Sequence, residues 1–364
     1  MVKEKQLERE SNIELFRVFL IIMVIAHHYV VNSGICDLWN YSNISGNMIF
    51  SILYGWGGKV AINGFLLITG YFMCEKKWKL ERLVRLWIEV KLYQIVIFAI
   101  FLLTGYCECS FSELYENVFS VILGMNREFI GSYFALLLVI PFVNILIQNM
   151  GRNRHLIIIV VLIWMYTINV TFLFNPVFEY LPWYVNMYLL GAYIRKYSSE
   201  RWDNVRVGAF MSIVSTMLAV LSMLFMIIVN KNLERTFSPY YFVMDCNKIL
   251  ALGCGLSYFI FFKNWNIGYH PIINKISKST FGVLQIHACN GIMRQWLWKD
   301  VLRNTNMYYS QYMWMHAIVS TIMVWGVCTI IDQIRIRWIE KPMEGNLDKM
   351  CGAIQEKIEK RIGL

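Results

Sequence analysis

Charged residues are scarce in this chain. Asp, Glu, Lys and Arg make up 16% of its 364 residues, whereas hydrophobic residues make up 57%, and the mean hydropathy is +0.47. Soluble domains carry about 25% charged residues, so this composition excludes an ordinary soluble protein and indicates one that crosses a membrane several times. Only six prolines are present, and there is no internal repeat, low-complexity run or Pro/Ser-rich linker. We therefore expect a single helical domain.

Cysteine motifs are missing as well. The nine cysteines are scattered, mostly singly, and form neither the spacing of a zinc site nor a disulfide framework, so we expect no metal. Cys107 and Cys109 are predicted to face outward. The alternative to free thiols there is a disulfide with Cys36 or Cys246.

The chain is rich in apolar stretches close to the length that spans a bilayer. We interpret ten of them as transmembrane helices of an all-α, polytopic membrane protein. Their approximate limits are Ile13–Val31, Met48–Met73, Leu86–Thr104, Phe129–Ile147, Leu156–Leu173, Trp183–Ile194, Val207–Val229, Cys246–Phe262, Thr280–Trp298 and Met313–Ile334.

Lys and Arg residues between these stretches alternate between the two sides of the predicted bundle. Of the 34 in the chain, 24 fall on one side, in the N-terminus, the tail from Arg335 and the loops around 76–85, 152–154, 195–206 and 263–278. The opposite loops hold Arg127, Lys231, Arg235, Lys299 and Arg303. Since positive loops stay in the cytoplasm, we predict that both termini are cytoplasmic. Basic loops there contact anionic lipid headgroups, so the net charge of +10 does not require nucleic acid as a partner.

The first apolar stretch contains Arg17 and His28, ionisable residues that are costly within a membrane unless the site uses them. At about 100° per residue they lie within about 20° of each other on a helix, roughly 16 Å apart. One helix face is thus predicted to carry a fixed cation near one surface and a titratable imidazole near mid-depth. The alternative is that Arg17 snorkels to the headgroups and His28 is a hydrogen-bonded core residue. His27 points away by about 100°, which favours a structural role.

Polar residues also mark the second and ninth stretches. Lys59, Asn63 and Gly70 share one face of the second stretch, where the surrounding glycines are expected to allow close helix packing. In the ninth, a polar stripe on a continuous helix would normally face a wet cavity or the bundle interior. Its members, at i, i+3 and i+7, are His287, Asn290 and Arg294.

Arg82 and Arg85 are three positions apart, just before the third stretch. If the third helix begins there, both guanidinium groups project from one face near its N-terminus, where anions are favoured. The alternative is a basic anchor that only sets topology.

The segment 341–364 is predicted to be a basic cytoplasmic tail, separate from a transmembrane domain at 1–340. Leu347, Met350, Ile354 and Ile358 recur there at helical spacing, which is typical of an amphipathic helix on the inner leaflet. A frayed, solvated tail is the alternative. At the other end, we expect the first apolar stretch to be retained, because charged residues interrupt it and no small-residue cleavage site follows.

These motifs together resemble the membrane acyltransferase-3 family, bacterial integral-membrane enzymes that move acyl groups, usually acetyl, from acyl-coenzyme A to sugars. The resemblance covers roughly residues 11–340. The family pattern has an acidic residue before an Arg-x10-His element, then a Ser-Gly-Tyr or Ser-Gly-Phe signature, an Arg-x-x-Arg motif and a late stretch that ends in His. The matching residues here are Glu14, Arg17 and His28, then Thr69 (in place of Ser), Gly70 and Tyr71, then Arg82 and Arg85, and finally Ser279–His287.

The resemblance implies an O-acyltransferase with acyl-coenzyme A as donor, by default acetyl-coenzyme A, and a hydroxyl of a sugar or cell-surface glycan as acceptor. His28, with Arg17 and Glu14, is then expected to be catalytic, as a general base or a transient acyl carrier. Arg82 and Arg85 are expected to bind a phosphate of the donor. The other predicted donor-binding residues are Thr69, Gly70 and Tyr71, and those predicted to line the cavity are Lys59, Asn63, His287, Asn290 and Arg294.

The resemblance also implies the plasma membrane of a bacterium as location, with membrane lipids and glycan-assembly proteins as partners. We expect no equivalent of the extracytoplasmic hydrolase-like domain of larger relatives. One rival is a transporter or flippase for a lipid-linked sugar, whose buried ions would line a passage. The other is a membrane sensor or scaffold, although the soluble ligand domain typical of such proteins is missing.

Overall fold

The computed structural model of the protein describes residues 10–119, 128–173, 179–233 and 237–362. Within these ranges the regular elements are helices and there is no strand, which confirms the predicted all-α class. The predictions that involve Lys3, Lys5, Arg9, Arg127 and Arg235 fall outside the described residues.

Seventeen α-helices are formed by the described residues. In chain order they are α1 (Ser11–Val31), α2 (Gly46–Gly55), α3 (Gly58–Met73), α4 (Leu80–Leu103), α5 (Phe111–Leu114), α6 (Glu128–Asn149), α7 (Arg152–Ile163), α8 (Asn169–Phe172), α9 (Tyr180–Tyr197), α10 (Val205–Asn232), α11 (Ile249–Asn264), α12 (Pro271–Ile276), α13 (Thr280–Ala288), α14 (Gly291–Gln295), α15 (Asn304–Met307), α16 (Met313–Arg335) and α17 (Lys341–Ile362).

Seven helical segments among the described residues are long and apolar enough to cross a membrane. They are α1, the α2–α3 pair, α4, α6, the α7–α8 pair, α10 and α16 with its continuation into α17. The chain is therefore a multi-pass membrane protein. The predicted count of ten spans and the predicted cytoplasmic location of both termini are not confirmed.

Two of the remaining predicted spans are helices that lack either the length or the hydropathy of a membrane span. The sixth corresponds to α9, whose 18 residues are rich in tyrosine; Trp183, Tyr184 and Tyr188 are each 0% exposed. These aromatic side chains pack inside the bundle, and their polar atoms lower the hydropathy of the helix. The eighth corresponds to α11, which has 16 residues and is about 24 Å long, less than the roughly 30 Å of a hydrocarbon core.

The ninth predicted span is broken in the middle. α13 ends at Ala288 and α14 begins at Gly291. Between them, Asn290 has an extended backbone, and its side chain accepts a hydrogen bond from the N–H of Met293 at 2.7 Å. Asn is favoured at such a cap because its side chain replaces the missing backbone partner, so it starts a new helix and does not continue the old one.

Polar and apolar side chains are distributed as a membrane requires. α10 exposes large apolar side chains such as Phe210 and Phe225, at 68% and 58%. Buried polar side chains, including Asn63 and Asp332 at 0% exposure, lie inside the bundle, where other side chains supply their partners.

Glycines bring α3 against α1. A Cβ on Gly58 would meet the His27 ring at 2.4 Å, and one on Gly64 would meet Leu20 at 2.7 Å. This contact confirms the predicted use of these glycines for close helix approach. It also sets the two consecutive histidines of α1 beside the N-terminal end of α3.

The tail is helical and docks one face on the protein. A π-helical turn, Ile336–Glu340, joins α16 to α17. Leu347 and Cys351 of α17 are buried, whereas Met350 and Ile354 are 56% and 44% exposed. The side chain of Ile358 lies outside the described residues. Contact of the exposed face with lipid and a domain boundary at residue 340 stay predictions.

All nine cysteines are free thiols. The structure therefore joins neither Cys107 nor Cys109 to Cys36 or Cys246, and the arrangement of the helices rests on packing and hydrogen bonds.

Candidate active site

Side chains from α1, α3, α4, α6, α13, α14, α16 and α17 line one cavity of about 940 Å³, a volume within the range of small-molecule sites. Seven cationic side chains and three carboxylates lie on its wall. This excess of positive charge favours an anionic ligand. The cations are Arg17, Lys59, Arg85, Lys278, Arg294, Arg335 and Lys341, and the carboxylates are Glu89, Glu340 and Glu344.

Two imidazoles meet at one part of this wall. Nδ1 of His28 lies 3.0 Å from Nε2 of His287, although 259 positions separate the two residues. His287 is fully buried, and its Nδ1 lies 2.6 Å from the carbonyl oxygen of Val283, one turn earlier in α13. His28 is half-buried and lines the cavity.

The two contacts define where the protons sit when both rings are neutral. A carbonyl oxygen only accepts, so Nδ1 of His287 carries the hydrogen and its Nε2 presents a lone pair. Nδ1 of His28 must then donate to that lone pair. Nε2 of His28 is left as an acceptor, and it has no hydrogen-bond partner among the described residues. The pair therefore offers one basic nitrogen to the cavity.

His27 also lies on the cavity wall, and its contacts are those expected of a structural histidine. Its Nδ1 contacts the carbonyl oxygen of Gly55, where it donates. Its ring also fills the space that a side chain at Gly58 would take. These contacts join α1 to the α2–α3 junction and give His27 a packing role beside its exposure to the cavity.

Lys59 and Thr69 line the cavity from α3. Nζ of Lys59 donates to the Tyr180 hydroxyl at 3.0 Å. The hydroxyl of Thr69 donates to the Phe65 carbonyl at 2.8 Å and lies 3.2 Å from the Tyr133 hydroxyl. The replacement of Ser by Thr thus keeps a hydrogen-bonding group on the wall.

Arg17 lines the cavity, and Glu14 holds it from behind. The Arg17 guanidinium lies 3.6 Å from the Glu14 carboxylate, whose side chain is 7% exposed. Ser277 donates a hydrogen bond to the same carboxylate. Glu14 itself lies off the cavity wall, so its contacts position Arg17 and do not present the carboxylate to a ligand.

The paired arginines separate in the structure. α4 begins at Leu80, six residues before the predicted start of the third span, so both arginines lie in its first two turns. Arg85 lines the cavity and Arg82 does not. The Arg85 guanidinium is also bound by carboxylates, including Glu344 at 3.1 Å and Asp348 at 2.7 Å.

Three residues of the α3 motif lie off the cavity wall. Asn63 donates to the Cys246 carbonyl at 2.6 Å and accepts from the Trp183 indole at 3.0 Å. A Cβ on Gly70 would lie 2.2 Å from the Tyr188 carbonyl oxygen, and the Tyr71 hydroxyl accepts from Arg195 at 3.2 Å. Packing against α9 and α11 explains all three, so the expected face of Lys59, Asn63 and Gly70 does not form a single wall.

The predicted stripe of the ninth span is divided by the helix break. His287 remains on α13 and contacts His28 behind the wall, and Arg294 lines the cavity from α14. Asn290 caps α14 and donates to Asn117 at 3.3 Å. The i, i+3, i+7 argument assumed a continuous helix, and the cap removes Asn290 from the stripe.

Sequence reasoning missed a second charged group on the wall. Arg335 lies 2.7 Å from Asp332, 3.2 Å from Glu89 and 2.7 Å from Glu340. Tyr93 also donates to Asp332 at 2.7 Å. A signal was present: Glu89 and Asp332 are acidic residues inside predicted spans, where a charge needs a partner.

The comparisons with known proteins give one match. A family model described as an acyltransferase domain matches residues 10–332. No curated protein and no solved structure matches the chain significantly.

Proposed function

Because the chain belongs to the membrane acyltransferase-3 family, we propose that it transfers an acyl group from acyl-coenzyme A to a hydroxyl of a sugar or cell-surface glycan. The default acyl group of this proposal is acetyl, and the bond formed is an O-ester. In this proposal the site lies in the plasma membrane of a bacterium, and the donor arrives from the cytoplasm.

The contact between His28 and His287 carries this proposal. It leaves Nε2 of His28 as a basic nitrogen on the wall of a cavity that is rich in cations. A neutral imidazole suits proton transfer near neutral pH. Buried histidines also relay protons in transporters, so it is the family of the chain, together with this contact, that favours acyl transfer over transport.

His28 acts as general base in the proposed reaction. Its Nε2 takes the proton of the acceptor hydroxyl as that oxygen attacks the thioester carbon. A C–O bond forms and the C–S bond breaks, and the proton moves from Nε2 to the departing coenzyme A sulfur. His287 stays neutral. Its Nε2 accepts the hydrogen bond from Nδ1 of His28 and so stabilises the His28 ring when that ring is charged.

Oxyanion charge develops on the thioester oxygen during the attack. A fixed cation or hydrogen-bond donor near that oxygen stabilises the transition state. We assign this role to Lys59, which lines the same cavity as His28. Asn63 is excluded from it, since both ends of its amide are engaged by Cys246 and Trp183.

The donor phosphates occupy the part of the cavity around Arg85 in this proposal. The pantetheine arm then runs along the wall past Arg17 toward His28, and the sugar hydroxyl approaches the same imidazole. A volume of about 940 Å³ gives room for the thiol end of the donor together with one sugar unit.

Acyl transfer can be tested with the purified protein in liposomes. Labelled acetyl-coenzyme A is supplied with a panel of soluble and lipid-linked saccharides, and label in the saccharide is measured. We expect transfer with the wild-type protein and none with His28→Ala, which should still insert into the membrane. Movement of the saccharide across the bilayer without label, equal in both proteins, would instead support a transporter.

A further inference from the structure

Carboxylates from three helical segments surround Arg85. Its Nε lies 2.7 Å from Glu81 on its own helix, its Nη1 3.1 Å from Glu344, and its Nη2 2.7 Å from Asp348. Glu340 lies 3.9 Å from the same Nη1. Glu344 and Asp348 belong to α17, so the C-terminal helix occupies the guanidinium that faces the cavity.

Glu340 also connects Arg85 to Arg335. One of its oxygens lies 3.9 Å from Arg85 and the other 2.7 Å from Nη1 of Arg335. Two guanidinium groups, one from α4 and one from α16, are therefore close enough to share a single carboxylate. A phosphate is a similar acceptor with more charge and more oxygens, and it binds arginine in the same bidentate manner.

A fixed contact holds the acidic face of α17 over this pair. Gln355 accepts from the backbone N–H of Leu80 at 3.0 Å and donates to the Trp78 carbonyl at 3.0 Å. Cys351, between the carboxylates and Gln355 on the same helix face, is 1% exposed. The side chains at 344, 348, 351 and 355 follow helical spacing, so docking of this face places both carboxylates on Arg85.

Solvent exposure distinguishes the carboxylates that a ligand can displace from Arg85 from those that stay bound to Arg335. The side chains of Glu344 and Asp348 are 55% and 46% exposed, whereas those of Asp332 and Glu89 beside Arg335 are 0% and 12% exposed. Exposed ion pairs contribute little and exchange readily, but removing a partner from a buried pair leaves an unpaired charge.

We propose that Arg85 and Arg335 form one phosphate-binding site, and that Glu344 and Asp348 of the C-terminal helix occupy it as an internal competitor until a phosphate-bearing ligand displaces them. The ligand class is an organic phosphate or diphosphate; under the proposed function, on which this identification rests, it is the diphosphate of acyl-coenzyme A. Arg335 replaces Arg82 as the partner of Arg85, and the tail sets how tightly the donor is held.

Equilibrium binding of coenzyme A to the full-length protein in lipid nanodiscs tests this site. The double variant Glu344→Gln/Asp348→Asn removes both exposed carboxylates, and Glu356→Gln is the matched control, because Glu356 lies on the same helix and pairs with Lys360 at 2.9 Å. We expect the double variant to bind coenzyme A about fivefold more tightly and the control to bind as the wild type does. Pantetheine, which has no phosphate, should bind all three proteins equally.

Arg335→Lys keeps the positive charge but removes the planar guanidinium that binds a phosphate through two nitrogens. We expect this variant to bind coenzyme A about fivefold more weakly. If the ion pairs of Glu344 and Asp348 are purely structural, the double variant should behave differently: their loss would leave its affinity for coenzyme A unchanged or lower it. Either result in the double variant would overturn the proposed site while leaving acyl transfer by the wild type intact. Absence of coenzyme A binding in every protein would overturn both proposals.

Discussion

The cavity has two ends that differ in how their hydrogen-bonding groups are satisfied. At the imidazole end, formed by His28 and His287, two imidazole rings and one carbonyl oxygen form a short chain. At the guanidinium end, formed by Arg85 and Arg335, two cations are surrounded by carboxylates. The first end is held by single hydrogen bonds and the second by a network of charges.

This difference determines how each end can receive a ligand. The chain at the imidazole end stops at Nε2 of His28, so a hydroxyl can bind there without displacing a protein side chain. At the guanidinium end a phosphate must exchange with a carboxylate that is already present. Chemistry is thus expected to depend on the imidazole end and donor affinity on the guanidinium end.

The largest effect is expected at His28. His28→Asn keeps a nitrogen donor toward His287 but has no basic atom in the place of Nε2, so kcat for acyl transfer should fall about 1000-fold, with coenzyme A binding within twofold of the wild type. His27→Asn is the matched control, because its amide can still donate to the Gly55 carbonyl. Equal losses in the two variants would show that packing of α1, and not the base, limits activity.

A smaller loss is expected at His287, which acts through His28. His287→Ala removes the acceptor that orients the His28 ring, and kcat should fall about 100-fold with little change in KM. His287→Gln supplies a side-chain oxygen near the position of Nε2 and should recover most of the activity. No recovery with Gln, at normal protein yield, would contradict a positioning role and indicate that His287 itself exchanges protons.

The sequence was sufficient to predict several parts of the site. It predicted that His28 and Arg17 share a face of one helix, since one helix carries both and helical geometry is fixed. It also predicted that Arg82 and Arg85 lie near the N-terminus of the third helix if that helix begins before them. These are relations within one element, where spacing along the chain determines spacing in three dimensions.

Relations between elements were not predictable in the same way. The hydrogen bond between His28 and His287 depends on how α13 packs beside α1, and the interruption at Asn290 depends on a cap that competes with a continuous helix. Arg335 was counted as a tail cation, because a charge at the end of an apolar stretch is typical of a topology anchor. Its buried partners Glu89 and Asp332 come from different helices and become neighbours only in the fold.

A substitution at Gly282 tests the guanidinium end without replacing a charged residue. A Cβ at this position would lie 2.0 Å from Oδ1 of Asp332, so Gly282→Ala should move that carboxylate away from Arg335 and Tyr93. We expect a loss of about 2 kcal/mol in the free energy of unfolding together with weaker donor binding. Gly326→Ala in α16, where a Cβ meets nothing within 4 Å, is the control. Thermal unfolding in detergent and donor KM measure the two effects, and a normal KM in Gly282→Ala would separate the buried network from donor binding.

The smallest effect separates the two arginines of the Arg-x-x-Arg motif. Arg85→Gln should raise the KM for acyl-coenzyme A about tenfold at nearly constant kcat, because it removes a guanidinium from the cavity wall and leaves Glu344 and Asp348 without their partner. Arg82→Gln should change KM by less than about twofold, since Arg82 lies off the wall and has no ion pair within the described ranges. Steady-state kinetics with varied donor concentration measures both. Equal increases in KM would mean that both arginines contact the bound donor. The guanidinium end would then be assembled by its ligand, whereas the imidazole end is already formed without one.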